Sequence, residues 1–340
     1  MFLTHTKVGQ RSKGRALSEL SLLDRAKLRT EALALRCFWR LSLMLGPERA
    51  SNLAAKLMIW SVGPRREVTR RIGRNLKVAL RDQKQAKIDQ LIDEAASNLG
   101  RVVAEYPHLR RIAGPELPQF IEFVADSPEA ALTPERSPAL YIGVHQANWE
   151  ILSAMGAPLG KPMTIVVSPL SNPFVHQLVS KARPDTWVEQ AERDQATRSL
   201  VRCLQSGRSV GLLADQRYEG GLPVPFFGLD AMTAIGPAKL AIKFGCDLVP
   251  TRVERIGPVR FRITTFAAIR PDQAIADDQE QAIDMMRRVN QHFETWIREK
   301  PGEWMCMKRR WPKLVYHDAA RPPLPSSDRS TETASKAAVA

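Results

Sequence analysis

An imidazole and a carboxylate close together in sequence, His145 and Glu150 in LYIGVHQANWEIL, are the pair in this chain best suited to proton transfer. Residues 139–144, ALYIGV, form a short apolar run of strand character that ends on the histidine. If the chain turns after His145 and a helix begins near Asn148, Asn148 can cap that helix, and Glu150 in its first turn can reach back to the ring. One continuous helix would set the two side chains well apart around its axis, so a loop followed by a helix belongs to the expectation. With the carboxylate holding one ring nitrogen protonated, the other is free to take a proton from an alcohol. An acyl donor already activated as a thioester then needs no covalent intermediate. The competing reading makes His145 a polar strand end and Glu150 a solvated acid at a helix start.

The elements that must position such a pair alternate along the chain. MTIVV at 163–167, SVGLLA at 209–214, CDLVPTRV at 246–253 and RFRITTF at 260–266 read as strands, with helical stretches near 173–183, 193–206 and 236–244. The expected fold is therefore α/β, a mostly parallel central sheet flanked by helices, preceded by an N-terminal amphipathic helical arm. Ligands of such sheets gather beyond the carboxyl ends of the strands, where His145 after ALYIGV and Asp215 after SVGLLA both emerge. Asp215 and Gln216, with Arg217, open a loop running to Gly220 and Gly221 that can shape a cleft. Asp215 is read either as a contact to an acceptor headgroup or a neighbouring cation, or as a plain turn acid. A Gly-Pro helix start in TAIGPAKLAIKFG leaves Lys239 solvated. A helix through RRVNQHFETWIREK ends before Pro301, and WMCMKRRW follows. There Lys308, Arg309 and Arg310 could bind phosphate or sit at a lipid boundary, while Trp304 and Trp311 serve equally well as core anchors. Candidate substrate contacts are thus Asn148, Asp215, Gln216, Arg217, Arg309 and Arg310.

The order of these landmarks carries a resemblance. HQANWE, SPLSNPFV, ADQRYEGGLPVPFFGLDAMTAIGPAKLA and PGEWMCMKRRW, with RRIGRNLKVAL and ASNLGRVVAEY upstream, resemble the bacterial lipid A biosynthesis (late) acyltransferases over roughly residues 30–315. The resemblance implies a glycerolipid-acyltransferase-like fold and an O-acyltransferase that moves a fatty acyl chain from an acyl carrier protein thioester to a hydroxyl of a lipid A precursor. It implies His145 as general base and Glu150 as its partner, no cofactor or metal, and work at the cytoplasmic face of the inner membrane as a peripheral or monotopic protein. The chain departs from the family at Ser168, where an arginine commonly precedes Pro169 and Leu170; Arg183 or Arg217 could substitute in space. That departure keeps open another glycolipid or phospholipid-like acceptor, and a non-catalytic lipid-binding protein is the reading from a different class.

Composition sets the remaining bounds. A chain of 340 residues, 44% of them hydrophobic, can build one sizeable core, and a net charge of +14 points to an anionic partner. Arg66, Arg70, Arg74 and Lys77 fall on one face if 65–80 is helical, a stripe that suits phosphates or merely water. Nucleic acid is disfavoured, because the basic residues are not interleaved with stacking aromatics and no zinc-finger spacing occurs. Residues 32–62 are rich in Leu, Met and Trp but broken by Arg36, Arg40, Glu48, Arg49 and Lys56, too short in uncharged length to span a bilayer. The arm is read as lying on a membrane with Trp39 and Trp60 at headgroup level, or as a helical pair packed on the domain. The start lacks a signal-peptide pattern, and Cys37, Cys203, Cys246 and Cys306 have no paired spacing, which fits reduced thiols on the cytoplasmic side. The expected organisation is a poorly ordered basic segment 1–30, the arm 31–82, the catalytic domain 83–316 and a disordered tail 317–340.

Overall fold

A computed structural model describes residues 20–62, 67–193 and 196–318. Ser21 accepts a hydrogen bond from the backbone N–H of Asp24 and so starts α1, Leu22–Leu45, inside the segment expected to lack order. Gly46, at φ +77°, and Pro47 end it and send the chain back as α2, Pro47–Val62. Helices α3, Glu67–Ala79, and α4, Gln85–Glu105, follow, and both α2 and α3 pack on α4. Buried Ile88, Leu91, Ile92, Ala95, Leu99 and Val102 recur on α4 at the helical period that lets one helix serve two neighbours. On α3, Ile72 and Leu76 are buried while Arg70, Arg74 and Lys77 face out, the basic stripe expected from the spacing; Arg66 lies outside the described residues.

The arm departs from expectation at Trp39. Its ring is buried, stacks on Tyr106 at 5.9 Å and donates its indole N–H to the Val103 carbonyl at 2.9 Å, so it anchors α1 to the domain. Trp60 is 87% exposed, together with Leu33, Leu41, Met44, Leu53 and Leu57. No helix among the described residues is long and apolar enough to cross a membrane.

The strands are β1 Ile121–Ala125, β2 Ala139–Gly143, β3 Met163–Val167, β4 Val188–Glu192, β5 Val210–Leu213, β6 Leu222–Phe226, β7 Leu229–Thr233, β8 Asp247–Gly257 and β9 Arg260–Thr265. Seven of them form one sheet in the order β1-β9-β8-β2-β5-β3-β4, parallel throughout except for β8 against β9. β2 is central and buried along its whole length, which explains why ALYIG is continuously apolar rather than alternating. Helices α5 Pro173–Ala182, α6 Ala196–Gln205, α7 Gly236–Phe244 and α8 Asp278–Glu299 flank the sheet, and α9 Lys313–Asp318 closes the described chain. Residues 319–340 of the expected tail, and 1–19 of the expected basic segment, lie outside the described residues.

Strands 163–167, 209–214 and 260–266 and helix 236–244 fall where the patterning puts them. β1, β4 and the β6–β7 hairpin do not follow from it, since IEFVA and VEQAE are partly polar and LPVPF carries two prolines. The first two are edge strands of the sheet, where polar outward positions are tolerated, and the hairpin is a separate pair on which proline costs no central ladder.

Candidate functional site

The two central parallel strands bring the site together by register. Gly143 of β2 stands opposite Leu213 of β5, and the Ala214 N–H donates to the Gly143 carbonyl at 3.1 Å, so His145 and Asp215 leave the sheet side by side. A Cβ at Gly143 would lie 2.9 Å from the Thr251 carbonyl oxygen on β8, so the close approach of the strands requires glycine there. His145 Nδ1 lies 2.6 Å from Asp215 Oδ1, and the His145 backbone N–H donates to the same oxygen at 3.1 Å. The other carboxylate oxygen accepts the Trp304 indole N–H at 2.9 Å. A carboxylate only accepts, so Nδ1 carries a ring proton, and in the neutral imidazole Nε2 presents its lone pair. The side-chain amide nitrogen of Gln216 faces that lone pair at 3.3 Å. Asp215 is fully buried, whereas the imidazole keeps 18% of its surface open to solvent. Burial alone would raise the Asp215 carboxyl; the His145 ring, the Trp304 indole and the His145 backbone N–H outweigh it and hold the group below the ordinary aspartate range.

The loop that carries His145 is tethered residue by residue. The Met305 N–H donates to the His145 carbonyl at 2.7 Å, and the Gln146 amide reaches the carbonyls of Trp296 and Lys300 at 3.0 and 2.9 Å. Ala147 sits at φ +49°, an uncommon conformation for a residue with a Cβ, and its carbonyl accepts from Asn98 at 2.8 Å. Asn148 caps the following tight turn, Trp149–Gly156, by accepting from the Glu150 N–H at 3.2 Å. Its amide nitrogen donates to Glu105 at 2.9 Å. Glu105 is itself fully buried between Ser51 of α2, at 2.6 Å, and the Arg255 guanidinium, at 2.7 and 3.0 Å. The cap is thus fastened to both the arm and β8.

The expected pairing of His145 with Glu150 does not occur. Among the described residues Glu150 hydrogen-bonds to Arg183, through Nε at 2.7 Å and Nη2 at 2.9 Å, and to the Tyr106 hydroxyl at 2.7 Å, and no bond joins it to the imidazole. The turn after Asn148 directs the carboxylate toward Arg183, just past the end of α5, and away from the strand ends. Burial alone would raise its carboxyl, but the Arg183 guanidinium and the Tyr106 hydroxyl hold it below the ordinary glutamate range. Burial first, then the Glu150 charge, pushes the Tyr106 hydroxyl well above its ordinary value, so it stays a donor. Desolvation would lower Arg183, and the Glu150 charge overrides it and raises the guanidinium further. The imidazole's partner is instead Asp215, which the strand pattern already sends to the same rim.

The remaining candidates separate by burial. Arg310 is fully buried, donating to the Met232 carbonyl and the Thr233 hydroxyl at 2.9 and 2.7 Å while lying over the Phe226 ring, so it is a packing residue rather than a substrate contact. Trp304 and Trp311 are buried with it, which makes them core anchors. Arg217 pairs with Glu219 at 2.8 Å and reaches the Trp311 carbonyl. Arg309, Lys308, Lys239 and Ser168 are exposed. Asn98, Glu105 and Tyr106, at the end of α4 and just past it, lie in the ASNLGRVVAEY landmark, but sequence reasoning gave them no role in the site. A cavity lined by Leu80, Lys87, Leu91, Arg298 and Gly302 contains none of the rim residues, so the site rests on the polar geometry at the strand ends. Among the described residues no three His, Cys, Asp or Glu side chains are grouped to hold a metal ion.

An oriented imidazole at the carboxyl end of a parallel strand, one nitrogen committed to a carboxylate and the other met by the Gln216 amide, can accept a proton from a bound hydroxyl that displaces the amide. No curated protein matches the chain. The family model for bacterial lipid A biosynthesis acyltransferases matches residues 26–313, from within α1 through the last tryptophan cluster, and the chain belongs to that family.

Proposed function

We propose that the protein transfers a fatty acyl group from an acyl carrier protein thioester to a hydroxyl of a lipid A precursor, with His145 as general base. The carrying observation is the 2.6 Å contact between His145 Nδ1 and a fully buried Asp215, on an imidazole that keeps 18% of its surface open to solvent. Nε2 takes the acceptor proton as the oxygen attacks the thioester carbonyl. Asp215 stabilises the imidazolium, and the tetrahedral intermediate collapses with the C–S bond breaking and the proton passing from Nε2 to the departing thiolate. Gln216, at Nε2, displaces as the hydroxyl enters and donates to the reacting oxygens. Glu150, enclosed with Arg183 and Tyr106, shapes the loop rather than exchanging protons.

Exposed Leu33, Leu41, Met44, Leu53, Leu57 and Trp60 recur on α1 and α2 at helical spacing, with Arg36, Arg40, Arg49 and Lys56 alongside. Apolar area edged by cations suits docking on an anionic bilayer, the inner membrane surface where such an acceptor resides. Exposed Ser168 in place of the family's common arginine supports the second reading, another glycolipid or phospholipid-like acceptor.

His145→Ala tests the proposal. Release of thiol from an acyl carrier protein thioester, in micelles holding a lipid A precursor, falls by about 10²–10⁴-fold with the fold retained. Turnover near that of the unsubstituted chain would remove the mechanism, and transfer to a different lipid alone would select the second reading.

A further inference from the structure

The Trp304 indole donates to the carboxylate oxygen of Asp215 that His145 does not use, at 2.9 Å. The indole is not free to turn. It lies fully buried in a box of rings, 6.2 Å from Phe226, 6.5 Å from Phe227 and 6.4 Å from Trp311, and Trp311 is pinned in turn by its own N–H to the Phe226 carbonyl at 3.0 Å. Arg310 closes the box over Phe226. The β6–β7 hairpin and the segment after α8 therefore hold one N–H against Asp215 from the side opposite the imidazole. The next residue, Met305, holds the His145 carbonyl.

We propose that Trp304 is a positioning residue of the acyl transfer. Its indole N–H fixes the plane of the Asp215 carboxylate and shares its charge, so that Oδ1 meets Nδ1–H in line and Nε2 faces the substrate. This rests on the reading of His145 as the base. Among the described residues Asp215 also acts on Cys306, whose thiol is pushed up by burial, and on Arg310, whose guanidinium is pulled down by burial. Neither of them hydrogen-bonds the carboxylate. Without the indole proton, the carboxylate charge concentrates on the oxygen shared with the ring and holds the protonated imidazole more tightly.

The test compares full-length Trp304→Phe with Phe226→Leu, which loosens the same box but keeps the N–H. In Trp304→Phe the acid limb of kcat/KM and the NMR titration midpoint of the His145 ring both move to higher pH, by about half a pH unit or more, and kcat falls by about 3–10-fold. Phe226→Leu lowers the melting temperature and moves neither midpoint. Unmoved midpoints in Trp304→Phe, or equal movement in both variants, overturn the inference. Should Trp304→Phe not fold, the indole N–H resonance of the unsubstituted chain decides: slow exchange and a response to His145 titration support it, and a fast-exchanging, unresponsive proton refutes it. Loss of transfer by every form would count against the proposed function alone, because the ring titration needs no turnover.

Discussion

Two buried carboxylates sit on neighbouring loops at nearly the same distance from a cationic or protonatable partner, Asp215 at 2.6 Å from His145 and Glu150 at 2.7 Å from Arg183. Both are held below their ordinary acid range, yet the partners make them different devices. Arg183 cannot give up its proton and is nearly closed to solvent, so that pair locks structure. An imidazole can gain and lose a proton, and the His145 ring keeps 18% of its surface open to solvent, so its pair suits chemistry. A carboxylate's role is read from what its partner can lose, not from the strength of the contact.

The largest test of that contrast is Asp215→Asn. An asparagine amide donating to Nδ1 would force the ring proton onto Nε2, the wrong tautomer, and acyl transfer should fall by about 10³–10⁴-fold, with about 1–3 kcal/mol lost in unfolding because the amide then faces a backbone N–H donor. A variant that keeps its rate would make Asp215 no more than a turn acid. Glu150→Gln should do the reverse. It leaves Arg183 without its counter-charge in a dry site, at about 3–5 kcal/mol of stability measured by urea unfolding, while protein still folded keeps most of its turnover. The sign in acid follows from the depressed carboxyl. Its stabilisation is present above the ordinary glutamate value and is lost as pH falls through the lowered one. Stability of the unsubstituted chain should thus fall below about pH 4.5, and the Glu150→Gln curve should be flatter there. Equal steepness would assign the acid sensitivity elsewhere. The smallest effect is expected away from both pairs, in Trp60→Ala, which should weaken binding to anionic vesicles by a few fold and leave unfolding unchanged. Trp39→Ala, removing a buried ring and its hydrogen bond, should instead cost stability.

Much of the fold was legible because burial is written as pattern. MTIVV, GPAKLAIKF and RFRITT need only their own residues to declare a strand, a helix and a strand. The loop after His145 and the Asn148 cap were equally local, and the emergence of both His145 and Asp215 at one rim followed from parallel strands. The pairing within the site was not legible. His145 and Glu150 are neighbours in sequence, and proximity favoured them, whereas Asp215 is brought in by the β2–β5 register across 70 residues.

What the sequence determined by itself is therefore which groups stand at the strand ends, because period and capping act within a few residues. Only the tertiary structure decided which carboxylate serves the imidazole, that Trp39 and Arg310 turn inward, and that the Trp304 indole completes the cluster. Each of those depends on hydrogen bonds between segments distant along the chain, whose alignment is set by packing of the whole sheet and its helices rather than by any local preference.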